Sequence, residues 1–154
     1  MIRINSMTSY KLNYQKILTQ VGILPLPKHS MTKWKNIKIT HGKENCKKET
    51  RKSIKNQLSN INGLYLYKTE EIIIYVGKGK PISSRIYSHY RESFEDVPGD
   101  TKTKRWRRFF SDQCNIDSLE VYFFELEEED DRVIFEKILV SYIGKDNVSF
   151  EYFI

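Results

Sequence analysis

Two short runs of β-branched and aromatic residues constrain the fold of this chain more than any other feature. The first is Gly63-Leu-Tyr-Leu-Tyr67, the second is Ile72-Ile-Ile-Tyr-Val76, and residues 68–71 separate them. Residues of these types favour extended backbone, and a short polar connection between two such runs is typical of a β-hairpin. We therefore expect a β-hairpin that brings Tyr65 and Tyr75 close together.

The pattern after the hairpin predicts helices and one further strand. A loop is expected at Gly77–Lys80, and a helix from Pro81 to about Arg91, because proline suits the first turn of a helix. The remaining predicted elements are a short helix over Lys104–Ser111, a strand over Leu119–Leu126 and a helix that Asp130 opens and Gly144 follows. The order β-β-α-α-β-α predicts an α+β fold with a small, mainly antiparallel, three-stranded sheet flanked by helices.

The first sixty residues differ from the rest in composition. Residues 1–60 contain thirteen Lys and Arg against two acids, a net charge of +11, whereas residues 61–154 have a net charge of −5. Helices are expected over Tyr10–Val21 and Lys43–Leu58, the first ending before Pro25. We interpret residues 1–60 as a basic, partly helical N-terminal extension and residues 61–154 as the main domain. Such an extension binds nucleic acid or is a solvated tail, and charge alone favours neither.

Composition excludes several classes of protein. The longest apolar stretch is Ile72–Val76, which is far too short to span a bilayer. The first residues lack the apolar run of a signal peptide, so we expect a cytoplasmic protein without a membrane segment. Cys46 and Cys114 have neither CxxC spacing nor histidines at zinc spacing, which indicates free thiols in a reducing compartment.

Four polar residues outside the strands have a spacing that suits chemistry on phosphate. Arg85 and His89 are four residues apart and share one face of a predicted helix, and Lys78 lies in the glycine-flanked loop before it. Glu136 is the carboxylate well inside the apolar last helix, where it would need a partner if it faced the core. One carboxylate, together with phosphate oxygens and waters, is a typical environment for Mg²⁺. Each residue alone also fits a surface or packing role.

Together, these residues resemble the signature of the GIY-YIG nuclease superfamily. The tripeptides Gly63-Leu64-Tyr65 and Tyr75-Val76-Gly77 are similar to its two name-giving sequences, with Leu and Val in place of isoleucine. Arg85, His89 and Glu136 follow as in the family, and Asn147 stands where an asparagine is frequent. The resemblance covers about residues 61–148. The members that the chain resembles are the catalytic domains of stand-alone restriction and homing enzymes and the nuclease domain of the bacterial excision-repair incision subunit.

The resemblance implies metal-dependent hydrolysis of the DNA backbone with Mg²⁺ or Mn²⁺. It implies that Tyr65 orients or deprotonates the attacking water, with positive charge from Lys78, Arg85 and the metal available to lower the pKa of its hydroxyl. Arg85 and Tyr75 would contact the phosphate, and His89 would assist proton transfer or hold Tyr65. Glu136 would bind the metal. The supporting residues are Gly63, Gly77 and Asn147.

Three functions remain open on the sequence. The first is a small restriction-type or mobile-element endonuclease, for which a homodimer would suit the cutting of both strands. The second is a repair or structure-specific nuclease directed by a partner. An inactive nucleic-acid-binding module is the third. The residues expected to contact DNA are Lys43, Lys47, Lys48, Arg51, Lys52, Lys55, Lys80, Lys104, Arg105, Arg107 and Arg108.

Overall fold

A four-stranded sheet with helices on both faces forms the body of the protein. The computed structural model describes residues 2–37, 47–69, 72–92 and 119–144. The helices in these ranges are α1 (Ile2–Val21), α2 (Lys47–Leu58), α3 (Ile82–Glu92) and α4 (Glu129–Ile143). The strands are β1 (Lys35–Ile37), β2 (Gly63–Thr69), β3 (Ile72–Gly79) and β4 (Leu119–Glu125).

The predicted hairpin is confirmed, and it lies at one edge of the sheet. Strands β2 and β3 pair antiparallel, with Tyr65 opposite Gly77 and Tyr67 opposite Tyr75. The strand order is β1-β4-β2-β3, and every pair is antiparallel. The α+β class is therefore confirmed, and β3 is an edge strand of the sheet in the described part of the chain.

The expectation of a three-stranded sheet is wrong, because the first sixty residues contribute a fourth strand. Strand β1 pairs with β4, with Lys35 opposite Phe123 and Ile37 opposite Val121. Its three residues include a lysine and an asparagine, and only Ile37 is buried. A strand this short and this polar has no detectable alternation in its sequence, and its pairing with β4 and the burial of Ile37 hold it in the sheet.

The two faces of the sheet pack against different helices. On one face, Ile54 of α2 and Ile86 of α3 contact a cluster that includes Tyr65 and Tyr67. On the other face, Leu18 of α1 and Leu139 of α4 join a second apolar cluster. Alternate residues of β2 point to opposite faces, so Tyr65 lies on the α2–α3 side.

Residues before position 60 are part of the packed core. Leu18 is fully buried, and Trp34 is also buried and donates a hydrogen bond from its Nε1 to the carbonyl oxygen of Ile23 at 2.7 Å. Complete burial of a leucine side chain stabilises a fold by roughly 1.5–3 kcal/mol. The segment from α1 to β1 thus contributes directly to the core around the sheet.

Most predicted helices agree with the structure within a few residues. Helix α4 ends before Gly144 as expected, whereas α1 begins at Ile2 and so well before the predicted Tyr10. The predicted helix over Lys104–Ser111 lies outside the described residues. Among the described helices, none combines the length and the apolar character needed to cross a bilayer.

Candidate active site

Tyr65 and Tyr75 meet on the α2–α3 face of the hairpin. Tyr65 extends from the central strand β2 and Tyr75 from the edge strand β3, and their ring centroids are 6.0 Å apart. A hydrogen bond joins the two side chains. Tyr65 is 1% exposed, whereas Tyr75 is only partly buried. The two phenols therefore form a connected pair in which Tyr75 is the member nearer to solvent.

Gly77 makes room for the Tyr65 ring. A Cβ atom at Gly77 would lie 2.5 Å from both Cζ and Oη of Tyr65, far inside van der Waals contact. Gly63 is equally constrained, because a Cβ there would collide with the backbone carbonyl oxygen of Phe124. Both glycines of the signature therefore have steric roles, and Gly77 has one at the site itself.

His89, on α3, packs against the tyrosine pair. It is 4% exposed, and its ring centroid lies 6.1 Å from that of Tyr65 and 5.9 Å from that of Tyr75. Its Nδ1 lies 3.2 Å from the hydroxyl oxygen of Tyr67. His89 is therefore not a surface residue, and its ring is held among three tyrosines.

Glu136 and Lys78 approach the same edge of the sheet from α4 and β3. The Lys78 Nζ lies 4.0 Å from Oε1 of Glu136, whose side chain is 24% exposed. Burial raises the pKa of the Glu136 carboxyl, while Lys78, Arg85 and Lys137 lower it. The carboxylate thus lies in a partly desolvated position with basic side chains around it.

Burial dominates the acid–base properties of the two phenols. Loss of hydration raises the pKa of Tyr65 well above 10.0; Tyr67 and Tyr75 raise it further, and Arg85 lowers it. Burial also raises the pKa of Tyr75, while the hydrogen bond to Tyr65 lowers it, Glu136 raises it and Arg85 lowers it. The shared hydrogen bond has opposite effects on the two groups, as expected if Tyr65 donates and Tyr75 accepts.

The expected lowering of the Tyr65 pKa is therefore not what the structure shows. Arg85 does act in the expected direction, but the desolvation of a nearly buried phenol outweighs it. At neutral pH Tyr65 is a protonated hydrogen-bond donor. This state suits the orienting role among the alternatives that the resemblance implies.

The candidate metal ligand is a single carboxylate. In the described ranges, no group of three or more His, Cys, Asp or Glu side chains is arranged to hold an ion. Glu136 nevertheless fits the type of magnesium site in which one carboxylate is combined with substrate phosphate oxygens and waters. Its partial burial favours a neighbouring cation, because a positive charge offsets the lost hydration.

A cleft of about 240 Å³ opens beside these residues, between the β3–α3 turn and the start of α4. Lys78 and Arg85 line this cleft and also belong to the group of candidate catalytic residues. The other polar residues of its lining are Lys80, Ser84, Glu129 and Arg132.

The six predicted catalytic residues lie together, whereas the predicted DNA contacts are spread along the chain. Lys48, Arg51, Lys52 and Lys55 are exposed on α2, and the Arg51 guanidinium lies 4.9 Å from the centre of the Tyr87 ring on α3. The side chain of Lys47 falls outside the described residues. So do Lys43, Lys104, Arg105, Arg107, Arg108 and Asn147.

Two residues near the site were not singled out from the sequence. Tyr67 lies two positions after Tyr65 and on the same face of β2, so strand alternation alone would have indicated it. Arg132 lies in the first turns of α4, and no local pattern distinguishes it from the other basic residues of the chain.

Comparisons of the chain with protein-family models, with curated proteins and with solved structures find no match.

Proposed function

We propose that the protein is a metal-dependent DNA endonuclease of the GIY-YIG type, namely a small restriction-type or mobile-element enzyme. The observation that carries this proposal is the convergence of six side chains from four elements at the β3 edge of the sheet. They are Tyr65, Tyr75, Lys78, Arg85, His89 and Glu136.

Arg85 connects the tyrosine pair with Glu136. It lowers the pKa of Tyr65, Tyr75 and Glu136, so its charge reaches all three side chains. Arg85 is exposed, which leaves its guanidinium accessible to a substrate. A guanidinium binds phosphate through planar, paired hydrogen bonds. We assign to Arg85 the binding of the scissile phosphate.

The tyrosine pair supplies the hydroxyl groups of the reaction site. In phosphodiester hydrolysis, a water molecule loses a proton as its oxygen attacks phosphorus, the bond to the leaving sugar oxygen breaks, and the leaving oxygen takes up a proton. Tyr75, the more accessible phenol, contacts the phosphate or the attacking water. Tyr65 donates to Tyr75 and holds its hydroxyl in a fixed orientation. His89 supports the pair from α3, and its imidazole can both donate and accept a proton.

Glu136 would hold Mg²⁺ or Mn²⁺. The chemistry supplied by such an ion, when bound, is stabilisation of negative charge at the phosphate and the leaving oxygen. The Glu136 carboxylate must be ionised for this role, and Lys78 and Arg85 favour that state.

Incubation of the full chain with plasmid DNA and Mg²⁺ or Mn²⁺, followed by sequencing of the ends, tests the proposal. Discrete fragments would support a restriction-type enzyme, and cleavage only of branched or damaged DNA would support a repair nuclease. Binding without cleavage under every metal would contradict the proposal. Glu136→Gln protein, purified in the same way, is the control for contaminating nuclease.

A further inference from the structure

The cleft between the β3–α3 turn and α4 is strongly cationic. Four of its lining side chains are basic and one is acidic. They are Lys78, Lys80, Arg85 and Arg132, with Glu129 as the carboxylate. Lys80 and Ser84 are exposed, so the cleft is open to a ligand from solvent. A concave site with this charge balance favours an anion.

Arg132 is the unusual member of the lining, because it is a charged residue that is 3% exposed. Its Nη1 donates to the carbonyl oxygens of Leu126 at 2.9 Å and Glu127 at 2.6 Å. Both bonds use one nitrogen, and Nε and Nη2 have no acceptor among the described residues. The β4–α4 connection therefore holds the guanidinium in place and leaves donors for a ligand.

We propose that this cleft binds the backbone phosphate next to the scissile one, with Arg132, Lys80 and Ser84 as its ligands. The inference rests on the proposed function for the identity of the neighbouring catalytic centre. Lys78 and Arg85 line the cleft and also belong to that centre, so the two sites are continuous. A nucleic-acid strand fits this arrangement because its phosphates follow one another along the chain.

The lining chemistry distinguishes a phosphate from a metal ion. The cleft presents guanidinium, ammonium and hydroxyl donors, whereas hard cations require oxygen ligands. Glu129 opposes an anion, but the basic residues outnumber it. A fixed, buried guanidinium with unused donors is suited to bidentate recognition of phosphate oxygens. The site therefore adds a second phosphate contact that positions the strand across Arg85.

Binding of a fluorescein-labelled DNA duplex to the full chain, measured by anisotropy in EDTA, tests the cleft without cleavage. We expect Lys80→Gln combined with Ser84→Ala to weaken binding on the order of tenfold, as for loss of charge-assisted hydrogen bonds. Arg132→Lys, which keeps the charge but loses the fork, should also weaken it. Lys35→Gln is the matched control, since Lys35 is exposed on β1 at the opposite edge of the sheet.

The second measurement is a ¹⁵N-edited NMR titration of the full chain. Saturating DNA should shift the Arg132 Nε–H and Gly79 amide signals, whereas inorganic phosphate alone should shift them only at much higher concentration. If the Lys80/Ser84 variant binds as tightly as Lys35→Gln, or if both signals stay in place, the cleft is not a phosphate site. The Lys80/Ser84 variant carries the test should Arg132→Lys fail to fold.

Failure of this inference and failure of the proposed function give different results. A chain that binds DNA through the cleft but cleaves under no metal contradicts the nuclease proposal alone. A chain that cleaves DNA with the same kcat/KM in wild-type and cleft-variant forms contradicts the cleft alone.

Discussion

The aromatic ring of Tyr65 lies directly over Gly77, its cross-strand partner in the hairpin. The contact is close enough that a single Cβ at position 77 would overlap Cζ and Oη of the phenol. Because the ring is buried, it has little space to move away from such an atom. The backbone of β3 thus determines the position of a side chain on β2.

Gly77→Ala should therefore damage both stability and cleavage. Overpacking of a core typically costs about 1–3 kcal/mol, and we expect a loss of unfolding free energy in this range by urea denaturation. Tyr65→Ala removes the ring that the methyl group meets. Adding Gly77→Ala to Tyr65→Ala should cost much less than adding it to wild type. Equal costs in the two backgrounds would show that the contact with Tyr65 is not the cause.

Tyr65→Phe removes one hydroxyl and leaves the ring in place. We expect the cleavage rate to fall by about 100-fold, the low end for loss of a positioned proton-handling group, because the Tyr75 hydroxyl loses its donor. The measurement is single-turnover cleavage of plasmid DNA with thermal unfolding in parallel. Tyr14→Phe, at a partly exposed position of α1, is the control. A Tyr65→Phe protein with wild-type rate would leave the tyrosine pair a packing role only.

Glu136→Gln keeps the size of the side chain and removes its charge. Cleavage should fall on the order of 100-fold or more, as for loss of a principal charge-stabilising element, while DNA binding in EDTA persists. Glu125→Gln, on an exposed residue at the end of β4, makes the same chemical change away from the site. Cleavage by Glu136→Gln at the rate of Glu125→Gln would contradict the assignment of Glu136 as metal ligand.

The sequence supports the hairpin and the last helix well, because both have strong local patterns. The runs around Leu64 and Ile73 contain residues that favour strands, and Gly144 ends α4. Strand β1 could not be predicted, since its stability comes from pairing with residues more than eighty positions away. Local sequence patterns predict only those elements that contacts between neighbouring residues stabilise.

The candidate site also has features that the sequence predicts and features that it does not. The spacing of Arg85 and His89 on α3 could be read from the sequence, because helical geometry fixes it. The burial of His89 and the raised pKa of Tyr65 could not, since both depend on three-dimensional packing. Arg132 was missed because its burial and its bonds to carbonyl oxygens arise only where α4 meets the end of β4.

The pH dependence of cleavage should show the environment of Glu136. Burial raises the pKa of this carboxyl, so activity that needs the carboxylate should be lost on acidification at a higher pH than for an exposed glutamate. Lys78 is the strongest of the groups that lower this pKa. Lys78→Gln should therefore move the acidic limb of the kcat/KM profile to higher pH, besides lowering its maximum.

The position of the limb separates this effect from a general loss of activity. Lys35→Gln, which removes an exposed lysine from the opposite edge of the sheet, should leave the limb in place. If Lys78→Gln also leaves the limb unchanged, the group that titrates in the acidic limb is not Glu136.

The basic face of α2 gives a prediction about DNA affinity. Lys48, Lys52 and Lys55 are exposed, and α2 packs on the same face of the sheet as the tyrosine pair. Arg51 lies over the Tyr87 ring of α3, which links the basic helix to the helix that carries Arg85. A strand bound at Arg85 therefore has a basic surface beside it, whereas a detached arm would have no fixed relation to the site.

Each phosphate neutralised contributes about −0.9 to the slope of log affinity against log salt concentration. Changing Lys48, Lys52 and Lys55 to Gln should flatten this slope by roughly two to three units, because three ion contacts are lost while Arg51 stays on Tyr87. The rate at saturating DNA should change less, since none of the three lysines belongs to the catalytic group. Anisotropy titrations over a range of salt concentrations measure the slope.

Changing Lys11, Lys16 and Lys35 to Gln removes the same charge from exposed positions on α1 and β1 and controls for net charge. Equal slopes for the two triple variants would mean that α2 acts only through the overall charge of the protein, and would direct the search for DNA contacts to Lys104–Arg108.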